Sequence, residues 1–302
     1  MNNVNLFGEV VKEKTELKTE FIIPPFSIFD TASGDWQNRK RRWGSLGIKS
    51  EIGRRTTELG SNSFGQLDRK KMAESTAKIA QVGKTASIFD PVLCEVIYHW
   101  FCKKQGNIID PFAGGSVRGI VANYLDYHYT GIELRDEQVL SNQTQALDIV
   151  PNNQPEWIIG DSNKELDKMD RMFDFIFSCP PYYDLEKYCD DPNDLSNMDY
   201  NSFNKVYESI IAKSCKLLNN NRYACFVVGN CRDKNGYMMD LVGTTIRAFE
   251  KSGLKFYNDI ILRNCVGSAS LRASTLMTYK KVCKIHQNVL VFVKGNPKEI
   301  VI

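Results

Sequence analysis

Asp174-Phe-Ile-Phe-Ser-Cys-Pro-Pro-Tyr-Tyr-Asp184 joins an apolar run to an abrupt stop. The run Phe175 to Phe177 predicts a short buried strand. Pro180 and Pro181 end it, because proline cannot donate to a ladder and stiffens the backbone. Tyr182 and Tyr183 then present aromatic rings beyond the strand end. Ligands of open α/β sheets sit outside the carboxyl ends of the strands, so a rigid loop here marks a candidate site. The same residues also suit an ordinary Pro-Pro turn with two surface tyrosines, and the neighbouring segments must decide.

Upstream, Pro91 to Phe101 carries apolar residues at Val92, Leu93, Val96, Ile97 and Trp100, a helical spacing. Asn107 to Asp110 reads as a strand, Pro111 to Ser116 as a tight glycine turn, and Val117 to Leu125 as a helix. Thr130 to Leu134 is a second strand, followed by a polar helix from Asp136 to Leu147. Trp157 to Gly160 is a third strand, ending at Asp161, and Phe173 to Cys179 is the fourth. Downstream, a helix from Ser202 to Leu218 leads to the strand Tyr223 to Val228. A helix from Met238 to Lys251 precedes strands at Lys255 to Leu262 and Asn288 to Val293. This alternation implies an α/β fold, a doubly wound and mostly parallel sheet covered by helices on both faces.

The 302 residues, 42% hydrophobic and 25% charged, suit one large domain, or a core with an appendage. Met1 to Glu9 has no basic start and no apolar core, so no signal peptide is expected, and the longest apolar runs are too short to span a bilayer. Nine cysteines without a C-x-x-C pair point to reduced thiols and a cytoplasmic location. His99, His128 and His286 are far apart, so no structural zinc is expected.

The net charge of +3 hides a segregation. Residues 36–84 hold 12 Lys/Arg against 4 Asp/Glu, residues 85–254 hold 16 against 24, and residues 255–294 hold 7 against 1. Basic flanks around an acidic middle favour a polyanionic partner for the flanks. Residues 1–85 read as a basic extension draped over a partner or over the domain formed by residues 86–302. Within it, Arg39, Lys40, Arg41 and Arg42 lie between Trp36 and Trp43. Arginine and tryptophan together can grip phosphates and stack on bases; they can equally make cation–π contacts inside a protein.

Three strand ends collect acids. Gly114 and Gly115 let the backbone approach a ligand at a helix amino terminus, yet the G-x-G-x-x-G of a dinucleotide site is missing. Asp110 before the turn would repel a pyrophosphate and accept an ammonium group. Glu133, 23 residues on, has the spacing of an acid that binds ribose hydroxyls, and Asp161 can accept from an adenine amino group. Adenosine with a cationic tail fits this set.

At these residues the chain resembles the S-adenosylmethionine-dependent DNA amino-methyltransferases. Asp110-Pro-Phe-Ala-Gly-Gly-Ser116 is similar to that family's cofactor loop, and Ser178-Cys-Pro-Pro-Tyr-Tyr183 to its catalytic loop. Ser87-Ile-Phe-Asp-Pro-Val-Leu93 is similar to the motif that precedes the cofactor loop. Val228-Gly-Asn-Cys-Arg232 and His286 to Gly295 resemble its later strands. The resemblance covers residues 86 to 295 and implies a Rossmann-like methyltransferase fold. It assigns Ser87, Phe89, Pro91, Asp110, Pro111, Phe112, Gly114, Gly115, Ser116, Glu133 and Asp161 to S-adenosylmethionine. It makes double-stranded DNA the partner, and assigns Ser178, Cys179, Pro180, Pro181 and Tyr182 to a flipped base. An exocyclic amine paired in the duplex must leave the stack before it can react.

One departure stands out. The family places Asp, Asn or Ser before Pro-Pro-Tyr, and here the residue is Cys179, a weak acceptor. Either the Pro180 carbonyl and another oxygen, such as that of Ser178 or Asp184, then hold the amine, or the chemistry differs. Cysteine is sterically closest to serine, which marks cytosine-N4 enzymes of the family and favours cytosine N4 over adenine N6. Three alternatives remain: pyrimidine C5 modification with Cys179 as nucleophile, amine methylation of RNA, and an inactive nucleic-acid-binding module.

Overall fold

The computed structural model describes residues 17–48, 89–183, 191–267 and 269–302. Ser87, the cations Arg54, Arg55, Arg69, Lys70 and Lys71, and Asp184 fall outside them. In chain order the strands are β1 (Ile28–Asp30), β2 (Asn107–Asp110), β3 (His128–Glu133), β4 (Glu156–Ile159), β5 (Phe173–Ser178), β6 (Leu218–Val228), β7 (Cys231–Arg232), β8 (Met238–Met239), β9 (Lys255–Arg263) and β10 (His286–Lys294). The helices that matter below are α1 (Leu17–Phe21), α2 (Gly34–Ser45), α3 (Pro91–Phe101), α4 (Val117–Tyr124), α5 (Asp136–Ile149), α6 (Ser162–Glu165), α7 (Tyr200–Leu217), α8 (Leu241–Lys251) and α9 (Ala269–Thr278).

Eight strands form one sheet in the order β1-β9-β10-β6-β5-β2-β3-β4, and β7 and β8 pair separately. Every pairing in the large sheet is parallel except those of β10, which runs antiparallel to both β6 and β9. The chain steps outward from β2 to β3 and β4, then returns to β5 on the other side of β2. Strand order therefore reverses between β2 and β5, where doubly wound sheets open a ligand crevice. The fold is the expected Rossmann-like α/β sheet.

Side-chain alternation divides the core. Ile108, Phe175, Phe177, Cys225, Val227, Val289 and Val291 meet α3, α4 and α5 on one face. Ile109, Ile176, Ala224, Phe226, Leu290 and Phe292 meet α7 and α8 on the other. Every residue of β5 is buried, as a strand covered on both faces requires. Helix starts follow capping chemistry: Asp90 accepts from the Val92 N–H with Pro91 at the first turn, and Asp199 accepts from Asn201 and Ser202. Among the described residues, no helix is long and apolar enough to cross a membrane.

The structure adds elements the periodicity did not predict. The segment read as a draped basic extension contains β1 and α2. β1 extends the sheet beyond β9, with Phe29 opposite Leu262 and an Asp30–Arg263 ion pair of 2.7 Å. α2 lies on α3, burying Trp36 and Trp43. Met238 and Met239 form β8 rather than the first turn of a helix, and α8 starts at Leu241, after the Asp240 cap.

At the amino ends of the central strands, buried Asp174 ties three of them together. It accepts from the Asn107 N–H at 3.0 Å, Asn219 at 3.2 Å and Arg222 at 3.3 Å, with the Lys103 ammonium 3.4 Å away. Burial pushes this carboxyl up, but the Asn107 bond, the Lys103 charge and the Asn219 and Arg222 donors outweigh it, so its pKa lies below the ordinary value. A lowered folded-state pKa gives stability that is complete above the unfolded value and lost as pH falls through the folded one. Asp174→Asn should therefore cost about 1.5–3 kcal/mol at pH 7. Urea titrations of both proteins should show that difference shrinking as pH drops below about 4.

Candidate functional site

At the switch point the carboxyl ends of β2, β3, β4 and β5 surround a cavity of about 630 Å3. Its walls unite the two loops: Cys179, Pro180, Pro181 and Tyr182 on one side, Pro111, Phe112, Gly114 and Gly115 on the other. Phe89, Glu133 and Asp161 line it as well. Gly114 takes φ +54°, a left-handed conformation natural to glycine, which turns the chain between β2 and α4.

Asp110 is not on the cavity wall. It is fully buried, and its oxygens are taken by the protein: Arg118 Nε at 2.6 Å, Tyr129 OH at 2.7 Å, Ser178 Oγ at 2.5 Å and the Phe112 N–H at 3.1 Å. The expected ammonium-accepting role thus meets a carboxylate that already holds a cation. Burial alone would lower the Arg118 pKa, but the Asp110 charge outweighs it and keeps the guanidinium charged. Arg118 also donates to the Phe112 and Ala113 carbonyls at 2.6 and 2.8 Å, bracing the glycine turn, and sits 4.6 Å over the Phe89 ring. Tyr129 reaches Asp110 because residue 131 is glycine. A Cβ there would lie 2.8 Å from the Tyr129 hydroxyl.

Ser178 is equally committed. It is fully buried, donates to Asp110 and is not part of the cavity wall, which places its oxygen away from a ligand in the cavity. Ser116, also buried, bonds to Gln145 at 3.3 Å, and Pro91 is buried at the start of α3. Glu133 accepts from the Gly114 N–H at 2.9 Å through one oxygen and from the Arg135 N–H and Nε at 3.1 and 3.2 Å through the other. The first oxygen keeps acceptor capacity on the cavity side. Asp161 caps α6 at the Asn163 N–H and faces Lys164 at 3.4 Å, so the capping role and the wall position coexist.

The arginine–tryptophan cluster needs correction. Trp36 and Trp43 are buried, not stacking faces, and their indole N–H groups donate to Asp90 at 3.1 Å and Glu95 at 2.8 Å. Arg39 pairs with Glu95 at 2.6 Å and Lys40 with Asp90 at 3.0 Å. Arg41 and Arg42 remain exposed, with Arg41 bonded to Asn38. The helical period, which places residues 36, 39, 40 and 43 on one face, carried this signal. Composition alone could not distinguish that face from a nucleic-acid grip.

Sequence reasoning also missed wall residues. Lys40, with Thr31 and Gln37, brings the N-terminal segment into the cavity, and Asp90, Asp194 and Gln287 line it too. Gln287, on β10, donates to the Tyr182 hydroxyl and so ties the Pro-Pro-Tyr loop to the antiparallel strand.

No family model matches the chain, and no curated protein matches it in sequence. Solved structures do match. They include TrmN from Thermus thermophilus, at 12% identity, TM-score 0.46, and 68% of this chain against 49% of that one. Others are a methyltransferase from Pyrococcus furiosus, at 14% identity, 0.44, and 76% against 98%, and a TehB-like SAM-dependent methyltransferase from Corynebacterium glutamicum, at 16% identity, 0.42, and 75% against 97%. The chain spans about half the length of TrmN. The fold class rests on the strand order described above, and the chemistry on the residues of the cavity.

Removing the Ser178 hydroxyl leaves the buried Asp110 short of one donor. Ser178→Ala should lower stability by about 1.5–3 kcal/mol, the range for a bond to a charged group. Chemical denaturation measures this, and an unchanged midpoint would show that the serine does not anchor the loop.

Proposed function

We propose that the chain is an S-adenosylmethionine-dependent methyltransferase that modifies the exocyclic amine of a base flipped out of duplex DNA, with cytosine N4 favoured over adenine N6. The observation that carries this reading is the meeting of two loops in one cavity. The glycine turn after β2 and the Cys179-Pro180-Pro181-Tyr182 loop after β5 face each other across about 630 Å3, within the roughly 300–1,000 Å3 of small-molecule sites.

The donors and acceptors suit the cofactor. Glu133 offers a carboxylate oxygen beside the turn for ribose hydroxyls, and Asp161 offers another at the end of the next strand. Asp90 and Lys40, 3.0 Å apart on the same wall, match the ammonium and carboxylate of an amino-acid tail. Bound there, S-adenosylmethionine supplies an electrophilic methyl group.

The base side follows from what the loop leaves available. Ser178 is off the cavity wall and Pro180 is on it, so the Pro180 carbonyl is the acceptor that positions the amine, and accepting its hydrogens directs the nitrogen lone pair toward the methyl group. Tyr182, fixed by Gln287, presents a ring for the base to stack upon. Rate enhancement then comes chiefly from holding the two reactants in line and from charge complementarity to the transition state.

Radiolabelled cofactor incubated with DNA and RNA, followed by digestion to nucleosides, identifies the product. The reading requires N4-methylcytosine in duplex DNA, and label appearing only in RNA would replace it. Glu133→Ala should weaken cofactor binding by about 1.5–3 kcal/mol for each charge-assisted bond lost, measured by calorimetry.

Cys179 separates amine transfer from ring-carbon chemistry. Under amine transfer, Cys179→Ser keeps substantial single-turnover activity, whereas Tyr182→Ala loses the stacking face, worth about 1–3 kcal/mol. A cysteine nucleophile inverts that ranking, since a serine hydroxyl cannot replace a thiolate without an adjacent base. Trapping on 5-fluorocytosine DNA with a dead Cys179→Ser variant would establish the ring-carbon alternative.

A further inference from the structure

We infer that Tyr237, in the loop of the β7–β8 hairpin, is the side chain that enters a DNA duplex and fills the gap left by the displaced base. This rests on the DNA reading above and names the element that would open the stack. Cys231 of β7 contacts the Tyr182 carbonyl at 3.9 Å, so the hairpin stands directly against the catalytic loop. Cys231 pairs with Met239 and Arg232 with Met238, which puts Tyr237 two residue steps further out, about 7 Å along the ribbon.

Tyr237 is 74% exposed, yet its loop is tightly bonded. Asp233 Oδ1 accepts from the Asn235 and Tyr237 N–H groups at 3.0 and 2.8 Å, and the Asp233 N–H donates to the Tyr237 carbonyl at 2.9 Å. The Gly236 N–H donates to the Asp233 carbonyl at 2.9 Å, and Arg232 donates to the Gly236 carbonyl at 2.8 Å. A loop held this firmly around a solvent-facing aromatic ring keeps that ring ready to act at little entropic cost. Pre-organised apolar wedges that unstack base steps have this character.

The surroundings of the hairpin suit a polyanion. Lys281 lies against Gly236, and Lys284 lies over Gly229 at the hairpin base. These lysines belong to the connection between α9 and β10, and no acidic residue occurs between Asp259 and Glu299. Among the described residues, no ion pair holds Lys234, Arg272, Lys280, Lys281 or Lys284. Tyr279 and Val282, on the same connection, are also exposed. An exposed aromatic ring flanked by cations outside any ion pair, beside the base site, matches the phosphate backbone and opened stack of a duplex.

The test compares duplex plasmid DNA with the same DNA heat-denatured, using radiolabelled S-adenosylmethionine and the full chain. Tyr237→Ala should lower transfer to duplex DNA at least tenfold and leave transfer to denatured DNA within twofold. Tyr237→Trp should retain duplex activity, and Asp233→Ala, which loosens the loop, should lose several-fold on duplex only. Cofactor affinity and melting temperature should stay at wild-type values in Tyr237→Ala. Equal loss on both DNAs, or no loss on either, overturns the inference while the wild-type arm still supports DNA methylation. A wild type that labels no DNA overturns the DNA reading itself, and this inference with it.

Discussion

The buried pair of Asp110 and Arg118 holds the site together. One carboxylate receives donors from α4, from Tyr129 on β3 and from Ser178 at the end of β5, while its guanidinium partner braces two carbonyls of the glycine turn. The two loops that face the cavity are thereby anchored to a single charge pair beneath it. Such a pair contributes little net stability compared with a well-packed apolar substitute, yet breaking it by removing one partner costs about 3–5 kcal/mol. Geometry, not stability, is the gain: a displacement of either loop must disturb Asp110 and is felt by the other.

A second constraint comes from the N-terminal segment. α2 docks on α3 through two indole–carboxylate bonds and two ion pairs, and this docking brings Lys40 and Gln37 to the cavity. The wall of the site is therefore shared between the doubly wound sheet and an element outside its alternating pattern. Charges that look like a ligand grip in one dimension become, once folded into a helix, the means of attaching that helix.

How far the chain could be read follows from the range of each signal. Strands β2, β3, β5 and the second half of β6 were legible because their residues are buried on both faces and their apolar residues run together, as at Phe175 to Phe177. The two site loops were legible because glycine and proline mark backbone turns locally. β1 was not: three residues with one buried side chain have no periodicity, and their partner lies far along the chain. The engagement of Ser178 and Asp110 with each other was hidden for the same reason, since hydrogen-bond partners 68 positions apart leave no local trace. Asp161 could be read either as cap or as wall, and the folded geometry lets it be both.

The pairing of β1 with β9 has a consequence for the order in which the molecule is made. Asp30 and Arg263, its joining residues, are separated by 233 positions. At translation speeds of about 5–20 residues per second, β1 waits roughly ten seconds or more for its partner to be synthesised. Contacts that close so long a loop form late, after local ones have paid the entropic cost of compaction. The sheet from β2 to β6 is thus available to assemble first, with its crevice open on the side that Thr31, Gln37 and Lys40 later cover. Until β9 is made, β1 has no strand to pair with, and its unpaired backbone is an edge on which a chaperone or a neighbouring chain would compete with β9.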